Sequence, residues 1–256
     1  SLKIYFNANN KATREALIQC GVKNVMLSFR HSYANITKFR NKFDSIFVVA
    51  GTKTKADDYH SFLRTKKEYY DLATQYDVRY DMDSTIKYLE KERKEGISWT
   101  VPVLQKNYLL HIGRIRPETD SLVGLGEIHG YDETEDQIRK LPRNVKYHGL
   151  AKGKFVMNRI FDSIDTSAWI SAAMSKKTEV WNANSTYSMF FGEKGKTMKP
   201  MLNHILEVYK DNLEKIGVTK TGVLNGEYYH LLKAPIALLF MPMCEALDSY
   251  KENFIN

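Results

Sequence analysis

Short apolar runs rich in valine, isoleucine, leucine and phenylalanine recur along the chain, and amphipathic segments separate them. The apolar runs have the length and the bounding residues that predict β-strands. They cover residues 2–6, 24–28, 46–50, 78–81, 100–104, 122–125, 145–150 and 160–164. The segments between them show helical spacing over residues 12–20, 36–43, 57–75, 84–94 and 134–141. Strands that alternate with helices in this way predict a parallel sheet.

Eight strands in regular alternation with helices predict a (β/α)₈ TIM-like barrel of the α/β class. The barrel is expected over residues 1–169. After Trp169 the pattern predicts a helical C-terminal extension over residues 170–256, with helices at 197–215 and 227–253 and a loop at 217–226. The alternative is an open, doubly wound parallel sheet, because the short runs can also be counted as about six or seven strands.

The charge and the cysteine content narrow the class of protein. The net charge of +8 is spread along the chain and is not gathered into a tail. Lysine and arginine gain by releasing counterions from phosphates, so the surplus favours a nucleic-acid partner, with a lysine-rich enzyme surface as the alternative. Two cysteines leave neither a disulfide framework nor a cysteine-rich zinc site. No apolar run reaches the roughly 18 residues that cross a bilayer, and we expect a cytoplasmic protein without a membrane partner.

Polar residues at the end of the predicted fourth strand are the first candidates for chemistry. Alternation along residues 78–83 would put Arg79, Asp81 and Asp83 on one face. Two carboxylates on one face can bind a polar ligand or serve as a general acid and a general base. For Asp83 the alternative is a helix N-cap together with Ser84. We therefore expect a functional role for Asp81 in particular.

The ends of the next strands carry an amide and several glycines. Gln105 follows an apolar run, and its side chain can donate and accept hydrogen bonds at once, as recognition of a purine edge requires. Gly124 and Gly126 would let the backbone approach a flat ligand closely. Gly149 lies in a similar glycine-rich strand end. The glycines lack the spacing of a dinucleotide fingerprint, so no nucleotide cofactor is implied.

The end of the eighth predicted strand carries a carboxylate. In a parallel barrel the carboxyl ends of the strands converge on one cavity, and Asp165 would reach it while Asp162 would lie deeper in the strand. A carboxylate there can act as a nucleophile that forms a covalent intermediate. The alternative for Asp165 is an N-cap for a helix that begins near Ser167. The sequence contains no serine-nucleophile elbow, zinc-protease motif or Walker-type phosphate loop, and no metal is implied.

The order of these strand ends resembles the tRNA-guanine transglycosylase superfamily, most closely its phage and DNA-modification branch, which inserts 7-deazaguanines into DNA. The run Ser163-Ile164-Asp165-Thr166-Ser167-Ala168-Trp169 is similar to the Ser-x-Asp-Ser-x-x-Trp run on the last barrel strand of that branch. Pro102-Val103-Leu104-Gln105 is similar to the strand that ends in a base-recognising glutamine. Val123-Gly124-Leu125-Gly126-Glu127 is similar to the glycine-rich base-binding loop. Tyr80-Asp81 fits the aspartate that holds the amino face of the base, and residues 148–153 look like the small-residue turn after strand seven.

The resemblance implies a base-exchange enzyme acting on nucleic acid, in which Asp165 attacks C1′ of the sugar and the base is released. Asp81 is implied as a second catalytic carboxylate. The residues implied to bind the base are Asp83, Gln105, Gly124, Leu125, Gly126, Glu127 and Gly149. The implied partners are DNA or tRNA and a guanine or 7-deazaguanine base, without a metal or organic cofactor, in the cytoplasm of a microbial or phage-infected cell.

The sequence also departs from the family. An Asp-Ser-Gly turn is expected after strand three, with the aspartate as general acid and base, and here Val49 stands at that position before Ala50-Gly51. The cysteine-rich zinc site of the tRNA-acting enzymes is missing as well. These departures support an alternative from another class of protein. In that alternative the barrel is catalytically altered or inactive and acts as a nucleic-acid-binding or virion-associated protein.

Overall fold

Eight short parallel strands form the central sheet in the computed structural model, which describes residues 3–32, 35–126, 131–150, 161–167, 170, 177–182, 185–190, 199–225 and 227. The strands are β1 Lys3–Asn7, β2 Asn24–Ser28, β3 Ser45–Val49, β4 Leu72–Ala73, β5 Val103–Leu104, β6 Leu122–Leu125, β7 Lys146–Gly149 and β8 Ser163–Thr166. Each strand pairs in parallel with its neighbours in the order β4-β3-β2-β1-β8-β7-β6-β5.

The two ends of that order are joined as well. Thr74, just after β4, forms a parallel bridge with Val101, just before β5. Backbone hydrogen bonds run from Val101 N to Ala73 O (2.8 Å) and from Gln75 N to Val101 O (2.9 Å). Strands that are neighbours in sequence are therefore neighbours in space, and β8 returns to β1. The predicted TIM-like α/β barrel is confirmed, and the doubly wound alternative is wrong because the strand order has no switch point.

Large side chains from several strands fill the interior of the barrel. Tyr5, Met26, Phe47 and Val101 form a buried apolar cluster. The partly buried side chains of Val49, Leu72, Leu122 and Leu150 pack against it. Side chains on a strand alternate between its two faces, so every second residue of each strand enters this core while the others face the helices. The barrel is consequently a filled core, and a ligand would bind at its end.

Helices follow the strands along the chain. They are α1 Lys11–Gln19, α2 Phe29–Ser32, α3 Ile36–Phe39, α4 Ala56–Thr65, α5 Met82–Lys94, α6 Tyr108–Ile115 and α7 Tyr131–Arg139, with 3-10 turns at Arg40–Lys42 and Lys67–Tyr69. Their apolar residues recur at helical spacing, as in α4, where Tyr59, Phe62 and Leu63 are buried. The Tyr59 hydroxyl donates to the Thr74 carbonyl (2.7 Å), which ties α4 to the end of β4.

The fourth strand lies upstream of its predicted position. Residues 57–75 were expected to form one helix and residues 78–81 a strand, whereas α4 ends at Thr65 and β4 is Leu72–Ala73. Leu72 and Ala73 pair with Phe47 and Val48 of β3, a contact between residues far apart in sequence. Residues 78–81 instead form a turn, closed by a hydrogen bond from Asp81 N to Val78 O (3.0 Å). Tyr80 has φ +67° in that turn, which no strand residue adopts.

Contacts divide the chain into two units, residues 1–10 with 23–166 and residues 11–22 with 167–256. The barrel strands all belong to the first unit. The second contains α1, an antiparallel hairpin of β9 Lys177–Asn182 and β10 Ser185–Phe190, and the helices α8 Lys199–Val208, α9 Lys210–Lys215 and α10 Lys220–Leu224.

The helix predicted at residues 197–215 is two helices in the structure, α8 and α9, over the described residues 199–215, and the C-terminal part also contains a hairpin that the sequence did not predict. Helix α10 lies where a loop was expected, at residues 217–226. The predicted helix at 227–253 lies, apart from Glu227, outside the described residues. Within the described ranges, no helix has the length and apolar character that spanning a membrane requires.

Candidate active site

The carboxylate of Asp165 belongs to a hydrogen-bonded chain inside the barrel. Its Oδ2 lies 3.0 Å from Nε2 of His148 on β7, and Nδ1 of that imidazole lies 2.7 Å from the Ser163 hydroxyl. The three residues are buried, with 0% exposure for His148 and 3% for Asp165. The His148 ring lies 4.8 Å from the Phe47 ring and 5.9 Å from the Tyr5 ring, between centroids. Because these rings belong to the barrel core, the imidazole and its carboxylate partner face the interior.

The donors and acceptors of this chain follow from the chemistry of the groups. An ionised carboxylate can only accept, so Nε2 of His148 carries the hydrogen that Asp165 binds. Nδ1 then accepts from the Ser163 hydroxyl in the neutral imidazole. Both ring nitrogens are therefore occupied, and the imidazole fixes the orientation of the Asp165 carboxylate. Helix capping, the alternative considered for Asp165, does not account for this bond to β7.

Asp162 occupies the opposite end of β8. It precedes the strand, is exposed, and its Oδ2 accepts a hydrogen bond from the backbone N–H of Tyr147 (2.8 Å). Its carbonyl also accepts from the backbone N–H of Lys3 (3.1 Å). Asp162 thus joins strands at the amino-terminal end of the barrel, while Asp165 is the carboxylate of β8 that enters the interior.

A second polar cluster lies where β4, β5 and β6 end. Gln105 is 2% exposed, and its Nε2 donates to Oδ2 of Asp77 at 2.6 Å. A Cβ at Gly126 would lie 3.5 Å from Oε1 of Gln105, so a glycine there keeps space open beside the amide. The Tyr108 hydroxyl of α6 donates to the Gly126 carbonyl and fixes that backbone. Together these groups present a carboxylate, an amide and a bare stretch of backbone.

Asp77 was not among the residues predicted from the sequence, because the fourth strand was placed too late. The two residues before Asp77 are held in position by the side chain of Gln75. Its Nε2 donates to the carbonyls of Thr85 (2.8 Å) and Tyr76 (3.0 Å). The Gln75 Oε1 accepts from the Val103 N–H of β5 (2.9 Å). These bonds hold the strand-four end against β5 and bring Asp77 to Gln105. The polar run from Thr74 to Asp77, directly after Leu72–Ala73, was the signal that could have located this strand end.

Asp81 and Asp83 do not share a strand face, because no strand exists at this position. Asp81 is the N-cap of α5, with Oδ1 accepting from the Ser84 N–H (2.9 Å) and Oδ2 from the Ser84 hydroxyl (2.7 Å). Asp83 is exposed on α5 and forms an ion pair with Arg114 of α6 (2.9 Å). Arg79 instead lies over the exposed ring of Tyr80, 5.0 Å from its centroid. The predicted capping role with Ser84 thus belongs to Asp81.

The remaining predicted residues fall on different faces of their strands. Gly124 lies close to Val103 and Leu150, because a Cβ there would meet each side chain at 3.5 Å. Leu125 alternates with the two glycines and therefore lies on the opposite face of β6. Gly149 follows the inward-facing His148 and lies on the outer face of β7 by the same alternation. Glu127 lies outside the described residues.

We expect Asp81→Ala to lower the urea midpoint of unfolding at pH 7 and Asp81→Asn to leave it nearly unchanged, because asparagine caps a helix about as well as aspartate. The hydrogen bonds from the Ser84 N–H and hydroxyl hold the pKa of Asp81 below its usual value. A carboxylate with a lowered folded-state pKa stabilises the fold fully above its unfolded pKa of about 3.9, and loses that effect as the pH falls through the folded value. The difference in urea midpoint between wild type and Asp81→Ala should therefore narrow below about pH 4. A difference that does not change with pH would contradict the capping role.

Comparisons with known proteins return structural similarities at low sequence identity. No protein family and no curated protein matches the chain. Among solved structures it is similar to FabK from Thermotoga maritima, with a TM-score of 0.47 and 11% identity over 98% of this chain and 95% of that one. The M276A mutant of that FabK gives a TM-score of 0.43 and 11% identity over 99% and 96%. Similarity at this level carries no information about activity.

Within the described residues, no group of three histidine, cysteine, aspartate or glutamate side chains could hold a metal ion.

Proposed function

We propose that this protein is a base-exchange enzyme of the transglycosylase type, acting on a guanine or 7-deazaguanine in nucleic acid with Asp165 as the nucleophile. The observation that carries the proposal is the Asp165 carboxylate, which enters the barrel interior from the last strand and is oriented by the buried His148 at 3.0 Å. A carboxylate held in this way is suited to attack a sugar carbon, since its charge stabilises the oxocarbenium character of the transition state.

The exchange balances without a cofactor. An oxygen of Asp165 bonds to C1′ while the C1′–N9 bond breaks, and the electron pair of that bond leaves on the base. The departing base takes up one proton at N9. The incoming base attacks C1′ through its own N9, gives up one proton there and displaces the carboxylate. One proton is taken up and one released, so the cycle needs no oxidant or reductant, and the covalent intermediate divides one difficult displacement into two.

The groups at the ends of β4 to β6 supply the complementary base site. The carboxylate of Asp77 can accept from the N1–H and the exocyclic amino group of a guanine, which are donors only. The second N–H of the Gln105 amide can donate to the O6 acceptor. Asp77 and Gln105 already form a bond of 2.6 Å, which fixes both groups before a base arrives. In this proposal Asp77 takes the base-holding role that the family resemblance implied for Asp81.

The test is incorporation of radiolabelled guanine into a DNA oligonucleotide and, in parallel, into an unmodified tRNA. Denaturing gel electrophoresis and intact-mass spectrometry of the mixture would detect a protein–nucleic-acid adduct. Incorporation together with an adduct supports the proposal and identifies the nucleic acid. A complete lack of both, with either substrate and with 7-deazaguanines as the incoming base, would overturn it.

The base-holding role of Asp77 predicts a further kinetic result. Asp77→Asn should raise the KM for the free base by at least about tenfold, because a purine N–H would lose its charged acceptor. Asparagine can still accept from Nε2 of Gln105, so the variant tests the charge and keeps the local contact. Asp81→Asn is the matched control and should change this KM by less than about twofold, because Asp81 only caps α5. A larger rise in this KM in Asp81→Asn than in Asp77→Asn would assign the base-holding role to Asp81 instead.

A second candidate is a nucleic-acid-binding barrel without catalysis, and one observation favours it. Val49 ends β3, is half-buried and packs against the Tyr5, Met26 and Phe47 cluster, so an apolar side chain takes the position where the resembling family has its acid. The two candidates differ in one measurement. Both bind an oligonucleotide with a salt-dependent affinity, and only the enzyme forms the covalent adduct.

A further inference from the structure

A cavity of about 550 Å³ lies beside the carboxyl ends of β2 and β3, and neither Asp165 nor His148 is among the residues that line it. Its walls come from the start of α2, from the loop after β3 and from one side of α4. We call it the β2–β3 basic cavity, after the cations that line it, which are Arg30, Lys53, Lys55 and Lys66. The mechanism proposed above uses none of these residues.

The cavity is strongly unbalanced in charge. Four cationic side chains line it and Asp58 is the one carboxylate among the lining residues. Within the described part of the chain, none of the four cations forms an ion pair. Like charges held around one concavity repel each other, and an anion that enters it relieves the repulsion. The floor is aromatic, because Phe29 is half-buried with its ring 5.1 Å from that of Phe62.

The loop that carries the lysines is fixed to the barrel. The Thr54 hydroxyl donates to the Ala50 carbonyl (2.9 Å), and the Arg30 guanidinium donates to the Thr52 carbonyl (3.4 Å). Gly51 has φ +84°, and a Cβ there would overlap the Ser28 hydroxyl, so the turn lies tight against β2. These contacts hold Lys53 and Lys55 next to Arg30, so a ligand needs to order few groups.

The cavity is connected to the candidate base site. The Tyr76 hydroxyl donates to the carbonyl of Thr54, which lines the cavity, at 2.7 Å. Asp77 follows Tyr76 in the chain and bonds to Gln105. Both sites therefore lie at the carboxyl ends of neighbouring strands, where a spacing of about 4.8 Å per strand leaves them within the reach of one short oligonucleotide.

We propose that the β2–β3 basic cavity binds the phosphodiester backbone of a single nucleic-acid strand and holds that strand across the carboxyl end of the barrel. Lysine and arginine are the side chains that bind phosphate through charge-assisted hydrogen bonds. Proteins bind single strands through a positively charged groove that follows one backbone, so a cationic cavity of this kind favours a single strand over a duplex. This inference rests on the proposed function for its choice of polynucleotide, while the cavity would bind phosphate whether or not exchange takes place.

The test compares two double variants that remove the same charge. Lys53→Gln/Lys55→Gln acts on the cavity, and Lys23→Gln/Lys146→Gln is the matched control, with two exposed lysines at the opposite, amino-terminal ends of β2 and β7. The probe is a fluorescein-labelled 12-nucleotide single strand, as DNA and as RNA, titrated over a range of potassium chloride concentrations. All lysines exchanged are exposed, and circular dichroism before and after heating verifies that the variants fold.

We expect the cavity variant to weaken binding about tenfold and to reduce the salt slope of log K by about 1.4, since each single-strand phosphate contact contributes about 0.7. The control should change affinity by less than about twofold. Equal weakening in both double variants, or none in either, would overturn the inference. Saturable binding of inorganic phosphate that the cavity variant loses, with oligonucleotide binding unchanged, would overturn it too and assign the cavity to a small anion.

The outcome is separable from that of the proposed function. The same titration is made in an Asp165→Asn background, which removes the nucleophile and leaves the cavity intact. Oligonucleotide binding that depends on Lys53 and Lys55 in both backgrounds, without any base exchange in wild type, would retain the cavity and reject the enzyme. Base exchange that the cavity variant leaves unchanged at a limiting oligonucleotide concentration would retain the enzyme and reject the role of the cavity.

Discussion

Replacement of Asp165 by asparagine is expected to reduce base exchange by at least about 10³-fold and to abolish the covalent adduct, because an amide cannot serve as the nucleophile. Asparagine can still accept a hydrogen bond from Nε2 of His148, so the fold should lose only about 1 kcal/mol. The rate of guanine incorporation and the intact mass of the protein–nucleic-acid mixture measure the first effect. Urea unfolding measures the second.

The matched control for this variant is Asp162→Asn, the same chemical change just before the same strand. Asp162 accepts from the Tyr147 N–H at the opposite end of the barrel, and the asparagine oxygen can keep that bond. Asp162→Asn should therefore exchange bases at close to the wild-type rate. Exchange that persists in Asp165→Asn would reject Asp165 as the nucleophile, whereas a lack of exchange in the wild-type protein would leave the nucleic-acid-binding alternative.

The second large effect concerns the stability of the barrel. His148→Ala should lower the free energy of unfolding by about 3–5 kcal/mol, because it removes the imidazole partner of a buried carboxylate and leaves a cavity in the core. The side chain has 0% exposure, bonds to Asp165 and Ser163, and packs on Phe47 and Tyr5. Urea denaturation followed by circular dichroism and tryptophan fluorescence measures the loss.

The control for His148→Ala is His31→Ala, since His31 is exposed on α2. Its substitution should change stability by less than about 0.5 kcal/mol. A His148→Ala protein as stable as the control would show that the imidazole is not a structural partner of Asp165. The double variant His148→Ala/Asp165→Ala adds a check, because removal of the carboxylate as well should recover part of the loss.

Local patterns were sufficient for most of the strands. The predicted runs at 2–6, 24–28, 46–50, 122–125 and 145–150 overlap β1, β2, β3, β6 and β7 within about one residue at each end, which is the usual uncertainty of element boundaries. Most of these strands are runs of apolar residues between clear helical segments. Such a pattern depends on neighbours in sequence, and it was enough to predict the parallel barrel.

The fourth strand and its carboxylates could not be placed in that way. Leu72–Ala73 is two residues long, and the preceding segment continues a helical pattern from α4. What makes it a strand is its pairing with Phe47 and Val48 on one side and the bridge to Val101 on the other. Those partners are distant in sequence, so a local pattern could not locate this strand end. The carboxylate of the site was therefore expected at Asp81, whereas the structure has Asp77 beside Gln105.

The sequence by itself determined the alternation of strands and helices, the barrel that follows from it, and the position of Asp165 on the last strand. Only the tertiary structure decided which polar side chains meet. His148 and Asp165 belong to neighbouring strands and bond because the register of β7 on β8 sets His148 opposite Ser163. Asp77 meets Gln105 because the Gln75 amide joins the end of β4 to β5. Hydrophobic periodicity is a local property, whereas register and side-chain pairing arise from contacts between residues far apart in the chain.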